Sequence, residues 1–252
     1  MIDILGNETT RISLIVCVKN SIISIPDSIG NLTSLVILDF CCNQLTFLPD
    51  SIGSLFSLTR LTVDSNQLTI IPDSIGNLAS LTHLNADNNK LTCLPDSIGN
   101  LSSLSELCVL GNLLTCLTES VGNLNSLSLL DVSDSKLTSL PDSIGNLTYL
   151  SELYASRNLL THLPDSIGNL ISLSELYINS NQLTNLPESV GNLSSLTRLC
   201  ARNNQLTHLP VSICSLKSLT HLDVSNNPIS STKEGKNEIK RLFETVNLSI
   251  EL

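Results

Sequence analysis

Leu35, Leu58, Leu81, Leu104, Leu127, Leu150, Leu173, Leu196 and Leu219 recur every 23 residues, and each opens the phrase L-x-x-L-x-apolar-x-x-N-x-L or a near copy of it. A fixed period of this length marks a repeat array, in which each copy is one structural unit that buries its apolar face only against its neighbours. The pattern starts one copy earlier, because Ile12, Ile15, Cys17, Asn20, Ile22 and Ile25 stand 23 residues before Leu35, Leu38, Phe40, Asn43, Leu45 and Leu48. Ten turns follow.

Within a turn the apolar spacing is two, as at Leu38 and Phe40 or Leu176 and Ile178, so this stretch reads as a short strand with one outward residue between two inward ones. Neighbouring copies should pair in parallel. The phrase L-P-D-S-I-G-N-L, as at Leu48 to Leu55, reads as the return segment: Pro fixes the backbone, and Gly is expected to supply a turn conformation other residues resist. Leu35, Leu38, Phe40, Leu45, Leu48, Ile52 and Leu55 point inward in such a turn. Their burial cannot offset the cost of ordering one isolated copy, so stability must come from stacking. The fold class is therefore an α/β solenoid, with a concave parallel sheet of about ten short strands and a convex side of turns and short helical segments.

These residues resemble the 23-residue leucine-rich repeats of the Ras-suppressor and Scribble type, and similar cytosolic or effector proteins of bacteria, over about residues 12–229. The resemblance implies a curved horseshoe that binds proteins as a scaffold, adaptor or inhibitor, without catalysis. Residues 1–11 are expected to form an N-terminal cap, 12–231 the array, and 232–252 a C-terminal helical cap. For the last, Ile239, Leu242, Phe243 and Val246 are spaced as on an amphipathic helix over Thr232 to Val246.

Composition narrows the function. A net charge of −10 disfavours nucleic acid. No apolar run is long enough to cross a bilayer, and Met1-Ile2-Asp3-Ile4 carries an acid where a secretory leader has bases. A cytoplasmic protein is expected, delivered into a host cell if it is a bacterial effector. No phosphate loop, H-E-x-x-H or G-x-S-x-G elbow appears, so neither catalysis nor a cofactor is expected.

The eight cysteines scatter, and Cys93 with Cys116, or Cys41 with Cys42, read as ordinary small residues; no metal set is expected. His162 and His208 share a column two turns apart, too far for joint ligation. Six sequons occur, at Asn7, Asn31, Asn100, Asn146, Asn192 and Asn247; the four at Asn31, Asn100, Asn146 and Asn192 are G-N-L-S/T copies of the repeat, and glycosylation is not expected. An Asn column from Asn20 to Asn227 should satisfy backbone groups, and its one exception, Ser135, should weaken a turn in which Thr118 also replaces Pro.

Acids form a convex column, Asp27, Asp50, Asp73, Asp96, Glu119, Asp142, Asp165 and Glu188, expected to meet free N–H groups of the adjoining helical turn. Others, with a few bases, sit on the sheet face, where the residues vary from turn to turn. There Tyr154 and Tyr177 share one outward column, with Glu152 and Glu175 two residues before them and Arg157, Asn179, Arg198 and Arg202 around them. Tyrosine offers rigid amphipathic area and arginine forked donors, the composition of an interface hot spot. Glu152, Tyr154, Arg157, Glu175, Tyr177, Asn179, Arg198 and Arg202 are the expected contacts for a protein partner. The alternatives are cross-strand pairs that merely stabilise the sheet, a self-associating structural array, and an inhibitor of a host signalling enzyme. Leu14, Val16, Val18 and Ile37 make the first strands apolar on the outer face, which the N-terminal segment, a partner or a second copy would cover. A monomer is expected, with a dimer through the N-terminal turns as the alternative.

Overall fold

The computed structural model describes residues 12–243 and 249–252. Three-residue strands follow the repeat, β1 Leu14–Val16, β2 Ile37–Asp39, β3 Arg60–Thr62, β4 His83–Asn85, β5 Glu106–Cys108, β6 Leu129–Asp131, β7 Glu152–Tyr154, β8 Glu175–Tyr177, β9 Arg198–Cys200 and β10 His221–Asp223, and one more, β11 Ser249–Glu251, lies outside it. They make one open, 11-stranded parallel sheet in chain order. From β1 to β10 the register shift is the repeat itself, so Leu38 lies beside Leu61 and Leu153 beside Leu176. The middle residue of each strand points inward, and from β2 to β10 it is buried. The last strand was not expected: β11 pairs with β10 through Leu222 and Ile250, so the C-terminal segment is not helical throughout.

Each return segment is a single turn of 3-10 helix, such as Asp50–Ser54 or Asp142–Asn146, entered from a residue at φ near −70° and ψ near 150°. Proline is pre-set for that entry. Thr118 takes the same conformation at φ −70°, ψ 148°, and its side chain accepts a hydrogen bond from the Ser120 N–H while donating to Asp96. The lost proline is thus partly offset by a cap that proline does not offer.

The glycines of this segment act through space and not through turn conformation. Among the described residues, Gly111 is the only glycine at positive φ, and it lies elsewhere in the repeat. A Cβ on Gly122 would come within 2.4 Å of the Ser143 carbonyl oxygen, and one on Gly53 within 2.4 Å of that of Ser74. Glycine is there because the next turn's backbone rests on it. The left-handed position is instead a separate column just after each strand, filled by Lys19, Cys42, Ser65, Asn88, Gly111, Asp134, Arg157, Ser180, Asn203 and Asn226 at φ 51° to 68°.

Two ladders run the length of the array. Asn66 Nδ2 donates to the carbonyls of Phe40, Val63 and Asp64, while its Oδ1 accepts from the Leu45 N–H; Asn89 and Asn112 repeat this one turn on. Ser135 breaks the ladder as expected. Its hydroxyl is buried without a partner, and the Leu114 N–H that an asparagine there would receive has no acceptor among the described residues. The second ladder is made of hydroxyls beside the sheet: Thr82 Oγ1 donates to the Thr59 carbonyl, Ser105 to Thr82, Ser128 to Ser105 and Ser151 to Ser128.

At the C-terminal end, a short helix α1 (Pro228–Ser231) precedes α2 (Lys233–Leu242), whose N-cap Thr232 accepts from the Gly235 N–H. Ile239 and Phe243 are buried against the core and Leu242 is half-buried. The helix is shorter than the sequence pattern suggested, and Val246 lies outside the described residues, as does the N-terminal segment 1–11.

Candidate protein-binding site

Register delivers the tyrosine pair directly. β7 and β8 place Glu152 beside Glu175 and Tyr154 beside Tyr177. The two rings stack with centroids 4.9 Å apart and planes inclined by 13°, the offset range in which aromatic pairs attract. Each hydroxyl is anchored to its own strand: Tyr154 donates to Glu152 Oε2 at 2.7 Å and Tyr177 to Glu175 Oε2 at 2.9 Å. Burial first, then the hydrogen bond to Glu175, pushes the Tyr177 hydroxyl up to about 12, with Arg198 pulling the other way. Burial and Glu152 raise Tyr154 as well. Both phenols are therefore neutral donors at physiological pH. All four side chains are half-buried, so the unit is fixed yet still presents surface.

The arginines divide. Arg198 lies opposite Glu175 in the β8 to β9 register, on the same face as the tyrosines, without a close ion pair between them among the described residues. Arg202 is exposed, and its backbone N–H donates to Asn179 Oδ1 at 2.9 Å. Asn179 thus works as a bridge between turns, its own N–H donating to Ser156 Oγ. Arg157 stands in the left-handed column and meets Asp134, Nε to Oδ1 at 3.4 Å. Both partners are exposed, so this pair adds little stability.

Further along the sheet, acids gather. Burial, helped by Asp131 and Asp64, raises Asp87 to about 6, although the Leu110 N–H donates to its carboxylate at 2.7 Å and opposes the rise. Burial raises Asp131 too. On the return side, Glu119 and Glu188 each accept the N–H of the following turn, from Ser143 and Ser212, and hydrogen bonding by the Ser212 side chain, then by its backbone, lowers Glu188. They reach the next turn, not their own as expected; the shorter aspartates of the column accept no backbone N–H among the described residues. Sequence reading missed the exposed Phe47 and Ile70, consecutive members of the column that continues to Cys93. The 23-residue register alone would have aligned them.

The leucine-rich repeat region family matches residues 15–115 and 111–182, and the leucine-rich repeat families match 171–229 and 218–242. The chain belongs to the leucine-rich repeat family. Comparison with curated proteins returns no match. Among solved structures, this leucine-rich repeat chain is similar to the ectodomain of the plant membrane receptor kinase GASSHO1/SCHENGEN3 from Arabidopsis thaliana, in complex with CASPARIAN STRIP INTEGRITY FACTOR 2. Identity there is 34% and the TM-score 0.74, over 81% of this chain and 26% of that one. It is also similar to the functional domain of InlJ from Listeria monocytogenes, which includes a cysteine ladder, at 29% identity and TM-score 0.64 over 87% and 50%. The Leptospira interrogans leucine-rich repeat protein LIC12759 aligns at 28% identity and TM-score 0.50 over 92% and 76%. The chain spans about a quarter of the first of these and half of the second. This fold typically mediates protein–protein interaction and is generally not catalytic. Among the described residues no helix is long and apolar enough to cross a membrane.

Proposed function

We propose that this chain is a non-catalytic binding module, taking a protein or extended peptide partner across the sheet face at Tyr154 and Tyr177, in the manner of a signalling adaptor or effector. The carrying observation is the stacked tyrosine pair with both hydroxyls held by glutamates. Its rotamers are set before any partner arrives, so little side-chain entropy is lost on binding. Arg198 and Arg202 lie one turn away and offer forked donors to a partner's carboxylates or carbonyls, while Glu152, Glu175 and the acids toward Asp87 suit a partner with basic groups farther along. The plant receptor ectodomain solved with its integrity factor is a precedent for the fold receiving such a ligand.

The test is quantitative recovery of partners by the intact chain and by Tyr154→Ala/Tyr177→Ala/Arg198→Glu, with Asp50→Asn/Asp73→Asn on the return side as the control. Partners should be lost with the first variant and kept with the second, at equal thermal stability. Partners retained by the triple variant would remove this patch from consideration. A second reading, self-association, is favoured by Leu14 and Val16, each 55% exposed on β1 at the end of the sheet. Sedimentation that shows a concentration-dependent dimer abolished by Leu14→Ser/Val16→Ser would support it.

A further inference from the structure

Cys41 and Cys42 are adjacent in sequence and lie just past β2, in the loop that carries the left-handed column. Taken alone they are two thiols. The repeat adds a third donor, because Asp64 occupies the column of Cys41 one turn later and stacking lays it alongside. The two sulfurs and an Asp64 carboxylate oxygen all lie within 4.8 Å of one another, and all three side chains are half-buried. We propose that Cys41, Cys42 and Asp64 form a binding site for a thiophilic divalent cation such as Zn2+, with a fourth position open to solvent.

Donor chemistry and placement agree with this. Two sulfurs and one carboxylate are ligands that zinc accepts, and three protein ligands with one open position is an established arrangement for it. Bond lengths of about 2.3 Å to sulfur and about 2.0 Å to oxygen put tetrahedral ligand atoms about 3.5–3.8 Å apart, so the group, already within 4.8 Å, needs to contract by no more than about 1 Å. The donors are already oriented. Ser65 Oγ donates to Asp64 Oδ2 at 3.1 Å, which leaves Oδ1 free, and the Cys42 N–H donates to the Asp64 carbonyl at 3.0 Å, which ties the loops together. Such outer contacts fix ligand orientation in metal sites. The Cys41 N–H donates to Asp39 Oδ1 at 2.9 Å, adding a second carboxylate to the surroundings. On binding, the ion replaces both thiol protons, which pass to solvent, and no redox partner is involved.

Cys93 and Cys116 supply the internal control. They are exposed, stand in one column of consecutive turns, and no acid joins them in such a group among the described residues. The experiment uses the reduced full chain. Zn2+ is titrated against a chromophoric chelator, and Co2+ is added separately to read the thiolate charge-transfer band. The expected result is one tight equivalent with that band, lost in Cys41→Ser/Cys42→Ser, weakened about tenfold or more in Asp64→Asn, and unchanged in Cys93→Ser/Cys116→Ser. No competition with the chelator, a site that follows Cys93 and Cys116, or an affinity indifferent to Asp64→Asn overturns the proposal. Asp64→Asn keeps the test decisive if the double serine variant does not fold.

Discussion

Ser135 is the residue at which the array departs most from its own rule. Everywhere else from Asn43 to Asn227 an asparagine in that column receives an N–H from the preceding turn and donates to three carbonyls. Ser135→Asn should give the Leu114 N–H its acceptor and raise stability by about 1 kcal/mol, measured by denaturant unfolding, with amide exchange at Leu114 slowed; an unchanged midpoint would show that solvent already serves that group. Asp87 is the second informative residue. Its pKa rises on folding from 3.8 to about 6, mainly through burial, so the folded chain holds the proton more tightly than the unfolded one. The resulting penalty is absent below about pH 4, grows between about pH 4 and 6, and is complete above that range. Asp87→Asn keeps the acceptor for the Leu110 N–H, and after discounting for solvent screening should stabilise the chain by about 1 kcal/mol at pH 7.5 and not at pH 3.5. Melting curves at the two pH values decide it.

Strands and return turns were readable because both rest on a period: two residues within a strand, 23 between copies. The Tyr154 and Tyr177 stack followed from that second period alone. What stayed hidden depends on contacts between copies that residue type does not announce. The left-handed column accepts Lys19, Cys42 and Arg157 as well as asparagine and glycine, so no compositional signal marks it, and the contact of Arg157 with Asp134 is not announced by residue type either. The glycines misled for the opposite reason: a familiar turn-former was serving a packing need. Gly122→Ala tests that account. Alanine ordinarily steadies a helical turn, but here its methyl would meet the Ser143 carbonyl at 2.4 Å, and the expected change is a loss of about 1–3 kcal/mol in denaturant unfolding. A gain would restore the conformational explanation.

Across the whole molecule, each turn touches only its neighbours, so damage should be felt where it is made and fade with distance. Ile239 on α2 is buried, and the helix packs against α1 and the last 3-10 turn. Ile239→Ala should cost about 2–5 kcal/mol locally, with amide exchange accelerated through β9 and β10 while β3 and β4 keep their protection. Uniform acceleration would mean that the array unfolds as one cooperative block. The candidate site was legible to the same extent as the register: the tyrosines, Glu152, Glu175 and Arg198 were placed by counting, whereas β11 obeys no count and was not. The hydroxyl ladder carries one more consequence. Every bond from Thr59 to Thr220 joins residues 23 apart and is donated in the same direction, so excising whole copies would join two surfaces that already fit, whereas removing part of a copy would misalign every rung beyond the cut. Length is thereby the freely adjustable trait of this architecture: a lineage can grow or trim the protein by duplication and loss of whole modules, shifting how far apart its two ends hold whatever they touch, without having to invent a new interface.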